Sequence, residues 1–183
     1  MNICVYGASS QDIDKKYIDS VELLGEEIAL RGHSLVFGGG ACGLMGAVVR
    51  GVQRKSGKST GVAPSFFDKP GILHQSCSEF IFTETMRERK QIMEELSDAF
   101  IMVPGGIGTF EEFFEILTLK QLGRHNKPIA VLNVDNYYSD LTSMIKKAFT
   151  EGFMRDGSES LYRSFDSHRE LLNYIERQKY ANA

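Results

Sequence analysis

The chain has 183 residues, 42% of them hydrophobic, enough for one well-buried domain and short for two, so residues 1–183 are expected to form a single domain. A formal net charge of -3 with dispersed lysines and arginines offers no basic field to a polyanion, which argues against nucleic acid as the main partner. Cys4, Cys42 and Cys77 are widely spaced without a CxxC pair, the start Met1-Asn2-Ile3-Cys4-Val5 lacks a basic leader, and no apolar run reaches membrane-spanning length; a reducing cytoplasm is expected, with no disulfide framework, zinc site or bilayer.

In chain order the pattern predicts a strand over Ile3–Tyr6 and a helix over Lys15–Arg31, with Leu23, Leu24, Ile28 and Leu30 on its inward side and Gly32 as its stop. A strand over Ser34–Phe37, a helix over Leu44–Lys55, and strands over Ser59–Ala63 and Glu79–Thr83 follow. Then come a helix over Met86–Leu96, a strand over Ala99–Val103, a helix over Thr109–Leu122, a strand over Ile129–Val134 and a helix over Tyr138–Glu151. A weaker strand near Tyr162–Phe165 and a helix over Ser167–Arg177 close the chain. Strands that are apolar throughout imply burial on both faces. The expected fold is therefore a doubly wound, Rossmann-like α/β domain, a parallel sheet of about six or seven strands with helices on both faces. Ligands bind such sheets at the carboxyl ends of the strands, which directs attention to the loops Gly7–Ser10, Gly38–Gly43, Pro64–Gln75 and Pro104–Thr109.

Two motifs fall short. Gly38-Gly39-Gly40-Ala41-Cys42-Gly43 satisfies G-x-G-x-x-G between strand and helix, yet Ser59–Ser65 holds no carboxylate for a ribose, so a dinucleotide is not expected and the loop reads as a close approach to another part of a nucleotide. Gly57-Lys58-Ser59-Thr60 resembles the tail of a Walker A loop, but the required first glycine falls on Val52 and the lysine lies on a helix-to-strand turn, the reverse of a P-loop.

Val103-Pro104-Gly105-Gly106-Ile107-Gly108-Thr109-Phe110-Glu111-Glu112 is more informative. Glycines after a buried strand let the backbone approach a ligand, and the free N–H groups of the helix that follows favour phosphate or ribose. Thr109 and Glu112 also fit an S/T-x-x-E capping box. Phe110, Phe113, Phe114 and Leu117 form the expected core stripe, which leaves Glu111, Glu112 and Glu115 off it. Capping and chemistry both remain open for Glu112. On the preceding helix Arg89 extends the stripe Ile92, Met93 and Leu96, where an arginine either snorkels or pairs with an anion. The N-terminus of this helix follows the strand ending near Phe82, which brings Met86–Lys90 to the same sheet edge as the glycine loop, so Arg89, Lys90 and Glu112 are expected to face one cleft.

With these motifs the sequence resembles the LONELY GUY family of cytokinin-activating phosphoribohydrolases, once labelled possible lysine decarboxylases. The pattern P-G-G-x-G-T-x-x-E is met by Pro104, Gly105, Gly106, Gly108, Thr109 and Glu112, and M-H-x-R-K by Met86, Arg89 and Lys90. Gly39–Gly46 and Gly7–Ser10 also resemble family segments, and the likeness runs from residue 2 to about 177. It implies hydrolysis of the N-glycosidic bond of adenosine 5′-monophosphate (AMP), plain or N6-prenylated, to free base and ribose 5-phosphate. Arg89 and Glu112 would be catalytic; Ser10, Gly39, Gly40, Gly43, Met86, Lys90, Gly105, Gly106, Gly108, Thr109, Glu111 and Thr118 would bind substrate. A homodimer without metal or redox cofactor is implied, and His33, His74, His125 and His168 form no ligand-spaced pair. Two departures stand out: Arg87 replaces the family's usual histidine, and Gly71 falls where relatives often carry a glutamate. The rival expectation is a non-catalytic nucleotide or cofactor carrier resembling molybdenum-cofactor carrier proteins. No lysine stands in a recognisable site for pyridoxal phosphate, so decarboxylation is not expected.

Overall fold

A computed structural model describes residues 1–154 and 160–181. The chain enters its sheet in the middle, with β1 (Asn2–Tyr6), and steps outward through α1 (Lys15–Leu30), β2 (Ser34–Phe37), α2 (Gly43–Arg54), β3 (Ser59–Pro64) and β4 (Glu79–Thr83). Helix α3 (Met86–Leu96) carries it back to β5 (Ala99–Met102) on the other side of β1, and α4 (Ile107–Gln121), β6 (Ile129–Leu132), α5 (Ser139–Thr150), β7 (Arg163–Phe165) and α6 (His168–Ala181) complete the second half. The strand order is β4-β3-β2-β1-β5-β6-β7, and every pairing is parallel. The order reverses between β1 and β5, so the ligand crevice of a doubly wound sheet falls at their carboxyl ends.

The pleat explains the apolar runs. Ile3, Val5, Leu35, Phe37, Ala99 and Ile101 pack against α1, α2 and α6, whereas Cys4, Tyr6, Val36, Phe100 and Met102 pack against α3 and α4. Successive residues thus serve opposite cores. The inward side of α1 is Val21, Leu24, Gly25 and Ile28; Leu23 and Leu30, expected there, are exposed. Gly25 lets α1 lie directly on α2, because a Cβ there would stand 2.2 Å from the Val48 carbonyl oxygen.

Strand β6 ends at Leu132 rather than Val134, since Val134–Asn136 form a 3-10 turn in which Asp135 takes a left-handed conformation. Between β3 and β4 the crossover contains only the 3-10 turn Ser65–Phe67. It is stitched to the loop after β2 by Ala41 N–H to the Ile72 carbonyl at 2.9 Å and His74 N–H to the Gly39 carbonyl at 2.8 Å. Among the described residues no helix is long and apolar enough to cross a membrane.

Candidate active site

Helix α3 begins with a complete capping box. Glu88 N–H donates to Thr85 Oγ1 at 3.1 Å and Thr85 N–H donates to Glu88 Oε2 at 3.2 Å. The Thr85-Met86-Arg87-Glu88 spacing carried this signal in the sequence. The fixed first turn brings Arg89 to the end of β3, where its Nε donates to the Val62 carbonyl at 3.1 Å. Gly38, at the end of β2, makes room for it: a Cβ there would stand 2.2 Å from Arg89 Nη2.

Helix α4 starts at Ile107, two residues before the expected Thr109. Extended Gly106 is its N-cap and supplies no side-chain bond, so the capping box expected between Thr109 and Glu112 does not form. Thr109 instead lies in the first turn, packed over Gly105, where a Cβ would stand 2.1 Å from Thr109 Oγ1. The buried stripe is Thr109, Glu112, Phe113, Ile116 and Leu117, displaced from the expected one because the sheet covers the neighbouring edge of the apolar face. Glu112, expected off the stripe, is on it, and Phe114, expected in the core, is 40% exposed.

Glu112 Oε1 accepts from Arg89 Nη1 at 2.6 Å, with both residues buried. Burial pushes the Glu112 carboxyl above the ordinary glutamate range, and the adjacent guanidinium offsets this only in part. Lys90 turns to the outer carboxylates, pairing with Glu111 and, at 2.8 Å, with Glu115. Burial opposes its charge, but these two hydrogen bonds hold its ammonium above its usual value.

The loops at the sheet edge are tied together. Ala8 N–H donates to the Pro104 carbonyl at 3.1 Å, and the Ala8 carbonyl accepts from Leu44 N–H at 2.8 Å. They enclose a cavity of about 570 Å³. Of the residues expected at the site, Ser10, Gly40, Met86, Arg89, Gly106, Gly108, Thr109, Glu111 and Glu112 line it. Gly39, Gly43, Lys90, Gly105 and Thr118 are not among the lining residues. Gly39 has φ 75° beneath the Phe80 ring, Gly43 packs under Ala8 and Ser10, and Thr118 is exposed on α4. Sequence reasoning assigned no role to Gln11, Met45, Phe67, Ile72 and Leu73, which also line the cavity. Phe67, Ile72 and Leu73 sit in the Pro64–Gln75 loop, expected at the site because it follows the carboxyl end of a strand, and Gly71 lines the cavity beside them. Among the described residues no group of three or more His, Cys, Asp or Glu is placed to hold a metal ion.

The cavity thus combines two kinds of surface. Arg89, Glu112, Thr109 and the first turn of α4, whose leading N–H groups have no intrahelical acceptor, supply its polar part. Met45, Phe67, Ile72, Leu73 and Met86 supply apolar wall. Such a site suits a ligand with an anionic head and a flat or apolar body.

Residues 45–175 match the family model described as possible lysine decarboxylase. The chain is 40% identical over 174 residues to cytokinin riboside 5′-monophosphate phosphoribohydrolase LOG4 of Arabidopsis thaliana, spanning 95% of this chain and 81% of that one. It is 39% identical over 173 residues to the probable cytokinin riboside 5′-monophosphate phosphoribohydrolase LOGL3 of Oryza sativa subsp. japonica, spanning 94% and 82%. Among solved structures, the molybdenum cofactor binding protein of Rippkaea orientalis superposes with a TM-score of 0.74 at 22% identity, over 96% of this chain and 95% of that one. The molybdenum cofactor carrier protein of Chlamydomonas reinhardtii gives 0.73 at 22% identity, over 97% and 96%; at that identity the likeness shows a common fold alone. The sequence relatives and the matched span together show that this chain belongs to the family described as possible lysine decarboxylase, the family of the cytokinin riboside 5′-monophosphate phosphoribohydrolases.

Proposed function

We propose that the chain hydrolyses the N-glycosidic bond of adenosine 5′-monophosphate, preferentially N6-modified, to free base and ribose 5-phosphate. The observation that carries this reading is the buried Arg89–Glu112 pair at a cavity bounded by the first turn of α4. The phosphate would take the N–H groups of Gly106, Gly108 and Thr109. As the C1′–N9 bond breaks, positive charge builds on the ribose and negative charge on the base. The Glu112 carboxylate stabilises the first and accepts a proton from the water whose oxygen adds to C1′; the departing base takes up a proton from solvent, and Glu112 returns its own to solvent, so one water is consumed in all. Arg89 orients Glu112 and brings positive charge to the phosphate or the leaving base. Ser10, Gly40, Met86 and Glu111 complete the proposed binding wall, backed by Gly39, Gly43, Gly105 and Lys90. Thr118 lies outside the cavity lining.

Among the described residues no lysine lines the cavity, and Lys90 pairs with two carboxylates. A homodimer belongs to the same reading, since Ile107 is 85% exposed and Phe114 is 40% exposed on α4, apolar surface that a second copy would cover. The free thiols of Cys4, Cys42 and Cys77 suit a reducing cytoplasm. Incubating the purified chain with AMP and with N6-isopentenyl-AMP should release base and ribose 5-phosphate in equal amounts. Tight binding without release would instead identify a carrier.

A further inference from the structure

After β6 the chain passes through Asp135 and Asn136 at φ 52° and 57°. Two consecutive non-glycine residues in the left-handed region are uncommon and persist only where their surroundings fix them. Here Lys16 pairs with Asp135, and Asn133 Oδ1 accepts from Tyr138 N–H at 2.7 Å. The turn delivers two adjacent phenols to the glycine loop. Tyr137 Oη donates to the Gly105 carbonyl at 2.8 Å and Tyr138 Oη donates to the Val103 carbonyl at 2.8 Å.

The two tyrosines are not equivalent. Tyr138 is 1% exposed and fills the core beside Phe110. Tyr137 is 44% exposed, so core packing does not account for its placement, and it stands edge-on to Tyr17 with ring centroids 5.9 Å apart. Its bond fixes the direction of one peptide plane. The Gly105–Gly106 peptide is trans, so a carbonyl held toward Tyr137 sends the Gly106 N–H the opposite way. Gly106 lines the cavity, whereas Gly105 and Tyr137 do not. Thr109 occupies the space where a Gly105 Cβ would stand, so the residue before this peptide is held closely by the first turn of α4.

We propose that Tyr137 is a positioning residue for the anionic group of the substrate, its hydroxyl acting through the Gly105 carbonyl to hold the Gly106 N–H toward the 5′-phosphate. This rests on the reading that a nucleoside 5′-monophosphate occupies the cavity. The test compares wild type, Tyr137→Phe and Tyr138→Phe in the full chain, using ribose 5-phosphate and adenine separately as competitive inhibitors of AMP hydrolysis. Tyr137→Phe should raise the KM for AMP and the inhibition constant of ribose 5-phosphate about five- to tenfold, with kcat within about twofold and the adenine constant unchanged. Its melting temperature should stay within a few degrees of wild type. Tyr138→Phe should lower the melting temperature while leaving the ratio of the two inhibition constants as in wild type. Unchanged ribose 5-phosphate inhibition in Tyr137→Phe, or parallel weakening of both inhibitors, overturns the proposal alone. A wild-type chain that neither hydrolyses AMP nor binds ribose 5-phosphate overturns the nucleotide reading and this proposal with it.

Discussion

Arg89 Nη1 donates to Glu112 Oε1 at 2.6 Å across 23 residues of sequence, and both side chains are buried. Helices α3 and α4 cover the same face of the sheet and begin near its carboxyl edge, so their first turns converge there. The carboxylate at the proposed reacting centre is therefore oriented by a partner that also crowds Gly38 and bonds to Val62.

Glu112→Gln tests the chemistry directly. Glutamine keeps an oxygen for Arg89 but cannot take a proton from water, so kcat should fall by roughly 10² to 10⁴. Stability should fall by up to about 3–5 kcal/mol, because Arg89 keeps its buried charge with no counter-charge beside it. Hydrolysis assays and thermal melts read both quantities. Activity within tenfold of wild type would remove Glu112 from the mechanism and move attention to Glu111.

The raised Glu112 carboxyl sets the acid side of the pH profile. If the carboxylate is the working form, the acidic limb of kcat/KM should lie above the ordinary glutamate value of about 4.3. Stability carries the opposite sign. In the window between the unfolded value and the higher folded one, the folded state binds more protons, so this residue's contribution falls as pH rises through that window. Glu112→Gln should erase that slope in a melting-temperature series, and a slope that survives the substitution would assign it to other groups.

The fold was legible because the central strands feed two cores: Val5 and Tyr6, or Val36 and Phe37, are apolar neighbours that point apart. The start of α4 was less so, and the reason is physical. Of the two S/T-x-x-E spacings at the starts of α3 and α4, Thr85–Glu88 and Thr109–Glu112, only the first closes as a box. Which one closes depends on the extended backbone of Gly106 and on Arg89, which competes for Glu112 from another helix. Exposed Leu23, Leu30 and Phe114 show the same limit, since helical spacing alone does not say which edge of a stripe the sheet covers. The ties from Ala8 to Pro104 and from Ala41 to Ile72 use backbone groups, which leave no mark in residue identity.

Gly38→Ala separates site from fold. The new Cβ would stand 2.2 Å from Arg89 Nη2 and 3.0 Å from Met45 Sδ, the flexible parts of long side chains, so the guanidinium should move while the backbone stays. Activity should drop by about 10²-fold with little change in melting temperature. Gly25→Ala is the contrasting case, as its Cβ would meet the Val48 carbonyl oxygen at 2.2 Å and Val52 N at 3.0 Å. That clash between α1 and α2 should cost on the order of 1–3 kcal/mol or more, with normal kcat in whatever remains folded. The reverse pattern would show that Gly38 matters for packing and not for Arg89.

Base selectivity should reside in the β3–β4 crossover. It contributes Phe67, Gly71, Ile72 and Leu73 to the cavity, an uncharged surface, and Phe67 and Ile72 are 38% and 42% exposed, so both retain area to cover an apolar N6 substituent. Removing one such side chain gives up contact area worth about 1–3 kcal/mol in a well-matched pocket. Phe67→Ala and Ile72→Ala should therefore each lower kcat/KM for N6-isopentenyl-AMP about tenfold or more, while the value for unsubstituted AMP changes by less than about threefold. The deciding quantity is the ratio of the two values measured on one enzyme preparation, since loss of active fraction cancels from it. Equal losses on both substrates would place these side chains against the adenine ring or ribose, leaving discrimination of the N6 group to Met45, Leu73 and Met86, the remaining long apolar side chains of the wall.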